Sequence, residues 1–272
     1  MKKIIFVFLT SLSGLAGAQE LYVFSEPASN MPARSISTKF THHFTGKDEI
    51  YNRSAHRLMP ELMFGFSKNL MVHLTSTFAN MHTTDFRFES AGLYAKYRFL
   101  SFDELHKHFR MAVFADGTIS RVPFHYDEVS LMGDKSGVEL GLIATQLWNK
   151  FALSGTLSHT QLTHSSRKSN VFYIPERDYS SLNYSLSGGY LLFPRNYTDY
   201  RQTNVNLYVE LLGQRTFGAG RFYVDVAPAI QLIFNSNLKL NLGRRMQLDS
   251  DMTRMSENTW LISLERTFLN AF

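Results

Sequence analysis

The strongest constraint on the fold is an alternation of apolar and polar residues across residues 221–245. Every second residue from Phe222 to Phe234 is apolar, while Asp225, Gln231 and Lys239 fall on the opposite parity. A period of two predicts strands with one apolar face and one polar face. A water-soluble barrel places the apolar face inside, whereas a membrane barrel places it outside.

The first residues predict export from the cytoplasm. Two lysines follow Met1, Ile4–Leu9 is apolar, and Ala16–Ala18 is a run of small residues. This order is typical of a secretory signal, so we predict a signal peptide over residues 1–18. The competing interpretation, a membrane anchor, requires a longer apolar run.

The remaining chain, residues 19–272, is long enough for one large all-β domain. It contains no cysteine, so strand pairing instead of disulfides must stabilise it. Without Lys2 and Lys3, 26 of the 28 basic residues remain against 23 acidic ones, a net charge of +3. The basic residues are scattered, which argues against a nucleic-acid partner.

The alternation recurs along the chain and predicts about twelve strands. Most approach the roughly 9–11 residues that a tilted membrane strand needs, which exceeds the usual 5–6 of soluble strands. The predicted strands are 34–44, 58–67, 70–79, 88–99, 108–118, 137–147, 151–160, 181–192, 203–214, 221–234, 238–247 and 258–268.

Short and long connections alternate between these strands. Tight polar turns follow even-numbered strands, as at Ser67–Asn69, Trp148–Lys150 and Asn235–Asn237. Longer links follow odd-numbered strands, although the segments 101–107, 193–202 and 215–220 fit this rule less well. The pattern predicts a single up-and-down antiparallel transmembrane β-barrel over residues 34–272, with short periplasmic turns and longer extracellular loops.

The charged residues of the predicted strands share the polar face. An Arg or Lys facing mid-membrane lipid costs about 2–4 kcal/mol, so this face is predicted to line the lumen. Arg266 and Pro228 depart from the pattern, and Pro228 predicts a bulge because it lacks an N–H. The predicted lumen residues are Glu61, His73, Lys96, Arg98, Arg110, Asp116, Glu139, Glu210, Asp225, Lys239, Arg245 and Glu265.

The chain end, "TWLISLERTFLNAF", resembles the aromatic-rich final strand of bacterial outer-membrane β-barrel proteins. The resemblance implies that the barrel-assembly machinery recognises this strand. Arg266 and Asn270 interrupt the parity, so Phe268 is the alternative strand end. The residues that carry the resemblance are Trp260, Ile262, Leu264, Phe268 and Phe272.

Two further segments carry a looser resemblance. "EPASNMPARSIS" at Glu26–Ser37 and "GLYAKYRF" at Gly92–Phe99 resemble an uncharacterised bacterial group of barrels that is loosely similar to MetA-type predicted transporters. This resemblance implies an outer-membrane location more firmly than an activity.

Neither catalysis nor a cofactor is predicted. The His-x-Ser-Asn-Gly type motif of the barrel phospholipases is not present, and the neighbours Ser158 and His159 would point to opposite faces of a strand. A weak candidate metal cluster at one predicted periplasmic turn comprises Asp103, Glu104, His106 and His108. A solvated turn is the favoured interpretation of those four residues.

The segment 19–33 lacks strand alternation, so it is predicted to be a periplasmic leader or a small plug in the lumen. Twelve strands lie between the filled eight-stranded and the open sixteen-stranded barrels, and many long inward side chains favour a narrow or occluded lumen. We expect passive or gated passage of a small hydrophilic solute or ion across the outer membrane of a Gram-negative bacterium. The alternative is a non-conducting surface scaffold that binds through its loops, and the third hypothesis is a hydrolase.

Overall fold

The computed structural model describes residues 22–46, 54–81, 83–122, 126–163, 178–195, 199 and 201–272, so the predicted signal peptide lies outside the described residues. The described chain forms strands β1 Ser35–Thr45, β2 Ala55–Gly65, β3 Leu70–Ala79, β4 Arg87–Glu104, β5 Lys107–Ser120, β6 Gly137–Trp148, β7 Phe151–Leu162, β8 Ser180–Phe193, β9 Asn204–Thr216, β10 Phe222–Phe234, β11 Leu238–Ser250 and β12 Asn258–Phe268. No helix in these ranges is long and apolar enough to cross a membrane.

The twelve strands close into one antiparallel barrel. Each strand pairs with its neighbours in sequence, and β1 completes the ring by pairing with β12. This closing ladder runs from Ile36 opposite Phe268 to Phe44 opposite Trp260. The predicted all-β, twelve-stranded, up-and-down barrel is therefore confirmed.

The connections define two ends of the barrel. At the turn end, β2–β3, β6–β7 and β10–β11 are joined by a few residues, and at the loop end longer stretches of sequence separate β5 from β6 and β7 from β8. The β4–β5 hairpin is tighter than predicted, because pairing continues from Ser101 opposite Arg110 to Glu104 opposite Lys107. His106 closes that hairpin with a positive φ of 64°.

The outer face of the barrel is apolar and the inner face is polar. Leu93, Leu140 and Val209 point outward with 52%, 61% and 55% of their surface exposed. Lys96 and Glu210 point inward and are fully buried. This arrangement is the reverse of a water-soluble protein and is that of a transmembrane barrel, in which lipid covers the outer side chains.

Pro228 lies on the outer face without the bulge that the sequence predicted. β10 stays in register with β9 through Pro228 opposite Val209. Against β11 the register is the same on both sides of Pro228, and the shift falls earlier, between Val224 and Asp225. The missing N–H of Pro228 therefore removes a ladder hydrogen bond without shifting the register of β10.

Candidate functional site in the barrel lumen

The described residues that precede β1 lie inside the barrel. We call residues 22–33 the luminal segment. The carboxylate of Glu210 on β9 accepts hydrogen bonds from the backbone N–H groups of Val23, Phe24 and Ser25 at 2.8, 2.9 and 2.8 Å. Three successive N–H groups around one carboxylate form an anion-binding nest. Glu210 therefore fixes the start of the luminal segment against the wall.

Lys96 on β4 holds the next part of the luminal segment. Its Nζ donates to Oε2 of Glu26 at 3.2 Å and to the backbone carbonyls of Pro27 and Ser29 at 2.6 and 2.9 Å. The N–H of Ala28 donates to Oγ1 of Thr145 at 2.8 Å. Polar wall side chains thus satisfy the backbone of a segment that has no strand partner of its own.

Phe24 packs over Gly243 of β11. A Cβ at residue 243 would lie 2.7 Å from a ring carbon of Phe24, which is closer than real side chains approach. Because Gly243 has no side chain, Phe24 of the luminal segment can pack directly against the backbone of β11.

Two loops fold inward at the loop end, the described part of the β5–β6 loop (residues 126–136) and the β11–β12 loop (residues 251–257). We call them the inward loops. Asp127 accepts hydrogen bonds from the N–H and the hydroxyl of Thr253 at 3.0 and 2.6 Å, and its own N–H donates to the carbonyl of Thr253 at 3.1 Å. Arg221 forms an ion pair with the same carboxylate. Burial raises the pKa of Asp127, but the hydrogen bonds from Thr253 and the charge of Arg221 outweigh it, so the pKa lies below its ordinary value.

The β5–β6 loop is also bonded directly to the wall. Val129 exchanges two hydrogen bonds with the side chain of Gln214 on β9, at 2.8 and 2.7 Å. Asp134 forms an ion pair with Arg57 on β2. These contacts reach opposite sides of the barrel, so the loop crosses the lumen.

Arg254 is the centre of a charged cluster beneath the inward loops. Its guanidinium donates to both carboxylate oxygens of Asp225 at 2.7 Å each and to Glu128 at 3.3 Å. It stacks on the ring of Tyr223 with its central carbon 3.8 Å from the ring centroid. Arg245 donates to the same Asp225 at 2.5 Å. This cluster connects both inward loops to β10 and β11.

A row of opposite charges runs along the inner wall from β11 through β12, β1 and β2 to β3. Lys239 lies 2.7 Å from Glu265, and Lys39 lies opposite both Glu265 and Glu61 in the strand register. Nδ1 of His73 is 2.7 Å from Glu61. Sequence analysis did not select Lys39, although its parity with Thr41 and His43 in β1 was the available signal.

The structure places the sequence-predicted residues in separate groups. Glu210, Lys96 and Arg110 contact the luminal segment, with Arg110 donating to the hydroxyl of Ser29 at 2.8 Å. Arg98 lies on β4 with the parity of Lys96, towards the turn end. The other groupings are Asp225 with Arg245, Lys239 with Glu265, Glu61 with His73, and Asp116 opposite Glu139.

Sequence analysis missed Glu128, Gln214, Tyr223 and Arg254. The first and the last lie on loops, where periodicity carries no information about side-chain direction. Gln214 and Tyr223 are uncharged strand residues, and only their parity indicated an inward position.

A cavity of about 250 Å³ separates the luminal segment from the inward loops. Phe24, Ser25 and Glu26 line it from the turn side, and residues 128–132 line it from the loop side. Its walls include Tyr94, Phe114, Asp116, Glu139, Ser158, Asn183, Gln214 and Arg245. The lumen therefore contains a chamber with both polar and apolar lining residues, bounded by two layers of chain.

The four weak candidate metal ligands of the β4–β5 hairpin do not share one set of contacts. Asp103 accepts hydrogen bonds from His108 at 2.7 Å and Arg110 at 3.1 Å, while Glu104 and His106 are exposed. Within the described ranges, no three potential ligands gather in a geometry that holds a metal.

Ser158 faces the lumen and its hydroxyl donates to Glu139 at 2.5 Å. Its neighbour His159 is exposed on the other face of β7. The two therefore do not form a nucleophile–base pair.

The final strand ends at Phe268, the alternative end indicated by the sequence. Trp260, Ile262, Leu264 and Phe268 all point outward with about half of their surface exposed, at 53%, 45%, 48% and 45%. Phe272 lies beyond the strand with its ring 5.9 Å from that of Phe66. Recognition of this strand by the barrel-assembly machinery stays a prediction.

The comparisons with known proteins show the fold. No protein-family model matches the chain. No curated protein matches it either. Among solved structures, an outer membrane channel from Pseudomonas putida F1 is similar, with a TM-score of 0.58 and 10% sequence identity over 91% of this chain and 100% of that chain. The KdgM porin has a TM-score of 0.47 and 9% sequence identity over 85% of this chain and 99% of that chain. The NanC porin has a TM-score of 0.49 and 8% sequence identity over 85% of this chain and 98% of that chain.

Proposed function

We propose that this protein is an outer-membrane channel for the passive passage of a small hydrophilic solute or ion. The observation that carries the proposal is the polar inner face of an inverted barrel, which encloses a chamber between the luminal segment and the inward loops. A polar lumen provides the hydrogen-bonding groups that replace the water around a passing solute. The fold shared with the Pseudomonas putida outer membrane channel is consistent with this role.

Location and assembly belong to the same proposal. The signal peptide over residues 1–18 would direct the chain out of the cytoplasm. The barrel-assembly machinery would then insert the barrel into the outer membrane, where lipid covers the exposed apolar face. The looser resemblance to MetA-type predicted transporters agrees with passage of a solute.

The second candidate function is a non-conducting scaffold that binds a partner at the loop end. The observation in its favour is the cluster around Arg254, which connects both inward loops across the lumen. A barrel that is held closed in this way conducts nothing unless the cluster opens.

Planar-bilayer recording of the purified full chain separates the two candidates. A channel gives discrete conductance steps that are smaller than those of a wide sixteen-stranded porin, because the luminal segment and the inward loops narrow the lumen. Silence across salts and voltages, together with unchanged permeability of loaded liposomes to small sugars and amino acids, would contradict the channel and favour the scaffold.

A further inference from the structure

The cavity carries negative charge that the wall does not neutralise. Asp116 on β5 and Glu139 on β6 lie directly opposite each other, and both line the cavity. Glu139 accepts hydrogen bonds from Ser158 at 2.5 Å and Asn183 at 3.3 Å, which are neutral donors. In the part of the chain that the structure describes, no Lys, Arg or His forms an ion pair with either carboxylate.

The other carboxylates around the cavity have cationic partners. Glu26 pairs with Lys96 at 3.2 Å, and Glu128 pairs with Arg254 at 3.3 Å. Arg245, the cation of the cavity lining, is 2.5 Å from Asp225. The net charge that faces the cavity is therefore that of Asp116 and Glu139.

Aromatic groups complete the cavity next to these carboxylates. Tyr94 lies opposite Asp116 in the register, and its ring stacks on Phe114 with centroids 5.4 Å apart. The hydroxyl oxygen of Tyr94 is buried and has no hydrogen-bond partner among the described residues. A buried hydroxyl without a partner is rare in a folded protein, so this oxygen keeps its capacity to accept a hydrogen bond.

We infer that this cavity is a binding site for a small organic cation with an ammonium or guanidinium group, which rests on the proposed channel function. Asp116 and Glu139 provide the negative charge, the faces of Tyr94, Phe114 and Phe24 provide cation–π contacts, and the Tyr94 hydroxyl accepts a hydrogen bond. The volume of about 250 Å³ exceeds the need of a single water molecule many times over and suits a compact solute. A bare divalent ion fits less well, since such ions require more oxygen ligands than two carboxylates supply.

Choline chloride is the probe, because its charge lies on a quaternary ammonium of suitable size. Its neutral isostere 3,3-dimethylbutan-1-ol is the matched ligand control. Titration calorimetry on the purified full chain in detergent should detect choline and show at least about tenfold weaker binding of the isostere. Equal binding of the two, or no binding of choline, would overturn the inference.

The double variant Asp116→Asn with Glu139→Gln should weaken choline binding by at least about tenfold. The control variant Asp249→Asn with Glu257→Gln removes two carboxylates from exposed positions at the loop end and should bind choline like the wild type. Tyr94→Phe keeps the aromatic ring but removes the acceptor for the hydroxyl of choline, which is the only hydrogen-bond donor of this probe. This variant should weaken binding by about threefold, which tests the site even when the double variant does not fold. Unchanged binding in Tyr94→Phe together with unchanged binding in Asp116→Asn alone would contradict the site.

Bilayer recordings distinguish failure of the site from failure of the channel. In a salt gradient, the double variant should shift the reversal potential towards anion preference, and the control variant should not. Choline binding without any current would overturn the channel and support the site. Current without choline binding would overturn the site and support the channel.

Discussion

The luminal segment and the inward loops both cross the barrel interior, but different forces hold them. The luminal segment is attached mainly through its own backbone, whose N–H and C=O groups bond to Glu210, Lys96 and Thr145. The inward loops are attached mainly through charged side chains around Arg254 and Asp127. The first layer therefore depends on buried hydrogen bonds, and the second depends on ion pairs.

This difference predicts which layer moves. Breaking the backbone contacts leaves several buried N–H and C=O groups unpaired, each at a cost of about 1–3 kcal/mol. The ion pairs of the inward loops respond to protonation, and the partly exposed Arg221–Asp127 pair responds also to salt. We therefore expect the luminal segment to be the fixed layer and the inward loops to be the movable layer.

The largest effect is expected from Glu210→Gln. In glutamine, one carboxylate oxygen is replaced by an NH₂ group, which cannot accept hydrogen bonds. The N–H groups of residues 23–25 therefore lose part of their acceptor. The luminal segment should leave the wall at a cost of roughly 3 kcal/mol or more. Single-channel conductance should rise about twofold or more, since conductance follows the narrowest part of the lumen.

Glu257→Gln, an exposed glutamate at the loop end, is the matched control and should leave conductance unchanged. A Glu210→Gln conductance equal to that of the wild type would show that the luminal segment does not limit passage.

A somewhat smaller effect is expected from Arg254→Gln. Removing this guanidinium leaves Asp225 with Arg245 alone and takes one cation from Glu128, and breaking a buried pair costs about 3–5 kcal/mol. The loops should open more often, so the open fraction in bilayer records should increase while the conductance of each step stays the same.

Arg244→Gln is the control for Arg254→Gln, because Arg244 lies over the ring of Trp260 and outside this cluster. An increase in conductance instead of open fraction would show that the inward loops, and not the luminal segment, form the narrowest part.

Gly243→Ala gives an intermediate test of the luminal segment. The new methyl group would meet Phe24 at 2.7 Å, and overpacking of this kind costs about 1–3 kcal/mol. The luminal segment should become more accessible to added protease than in the wild type. Gly155→Ala is the control, since a Cβ there meets nothing closer than 3.9 Å. Equal protection in both variants would show that Phe24 does not anchor the segment.

The strands and the directions of their side chains were predictable, because the alternation of apolar and polar residues depends only on the local geometry of a strand. The alternation in β10 assigned Asp225 and Gln231 to the inner face without knowledge of any partner. The prediction failed at Pro228. A proline within a strand predicts a bulge, but Pro228 lies on the outer face and β10 stays in register with β9 there.

The two layers inside the barrel were not predictable in the same way, because their contacts join distant parts of the sequence. Val23 bonds to Glu210, 187 residues away, and Val129 bonds to Gln214, 85 residues away. Sequence alone left segment 19–33 as leader or plug, since it lacks a periodic pattern. Charge pairing around Arg254 likewise depends on which loops meet in the closed barrel.

The smallest effect is expected from protonation of Asp127, and it tests whether the inward loops are the responsive layer. The pKa of Asp127 in the folded protein lies below the ordinary value of 3.8, because Thr253 and Arg221 outweigh the effect of burial. A lowered pKa means that the contact contributes fully above the ordinary value and is lost as pH falls through the folded value. Between pH 7 and pH 5 the loops should therefore stay closed, and they should open only in acid stronger than the ordinary carboxyl pKa.

Amide hydrogen exchange at Thr253 measures this opening directly, because its N–H donates to Asp127. Exchange corrected for the intrinsic pH dependence should accelerate only in acid in the wild type. In Asp127→Asn the exchange should already be faster at pH 7, by about three- to tenfold, since the charge is missing at every pH. The N–H of Ala28, which donates to the neutral hydroxyl of Thr145, is the internal reference for the fixed layer. If Ala28 lost protection at a higher pH than Thr253, the luminal segment would be the movable layer and the inward loops the fixed one.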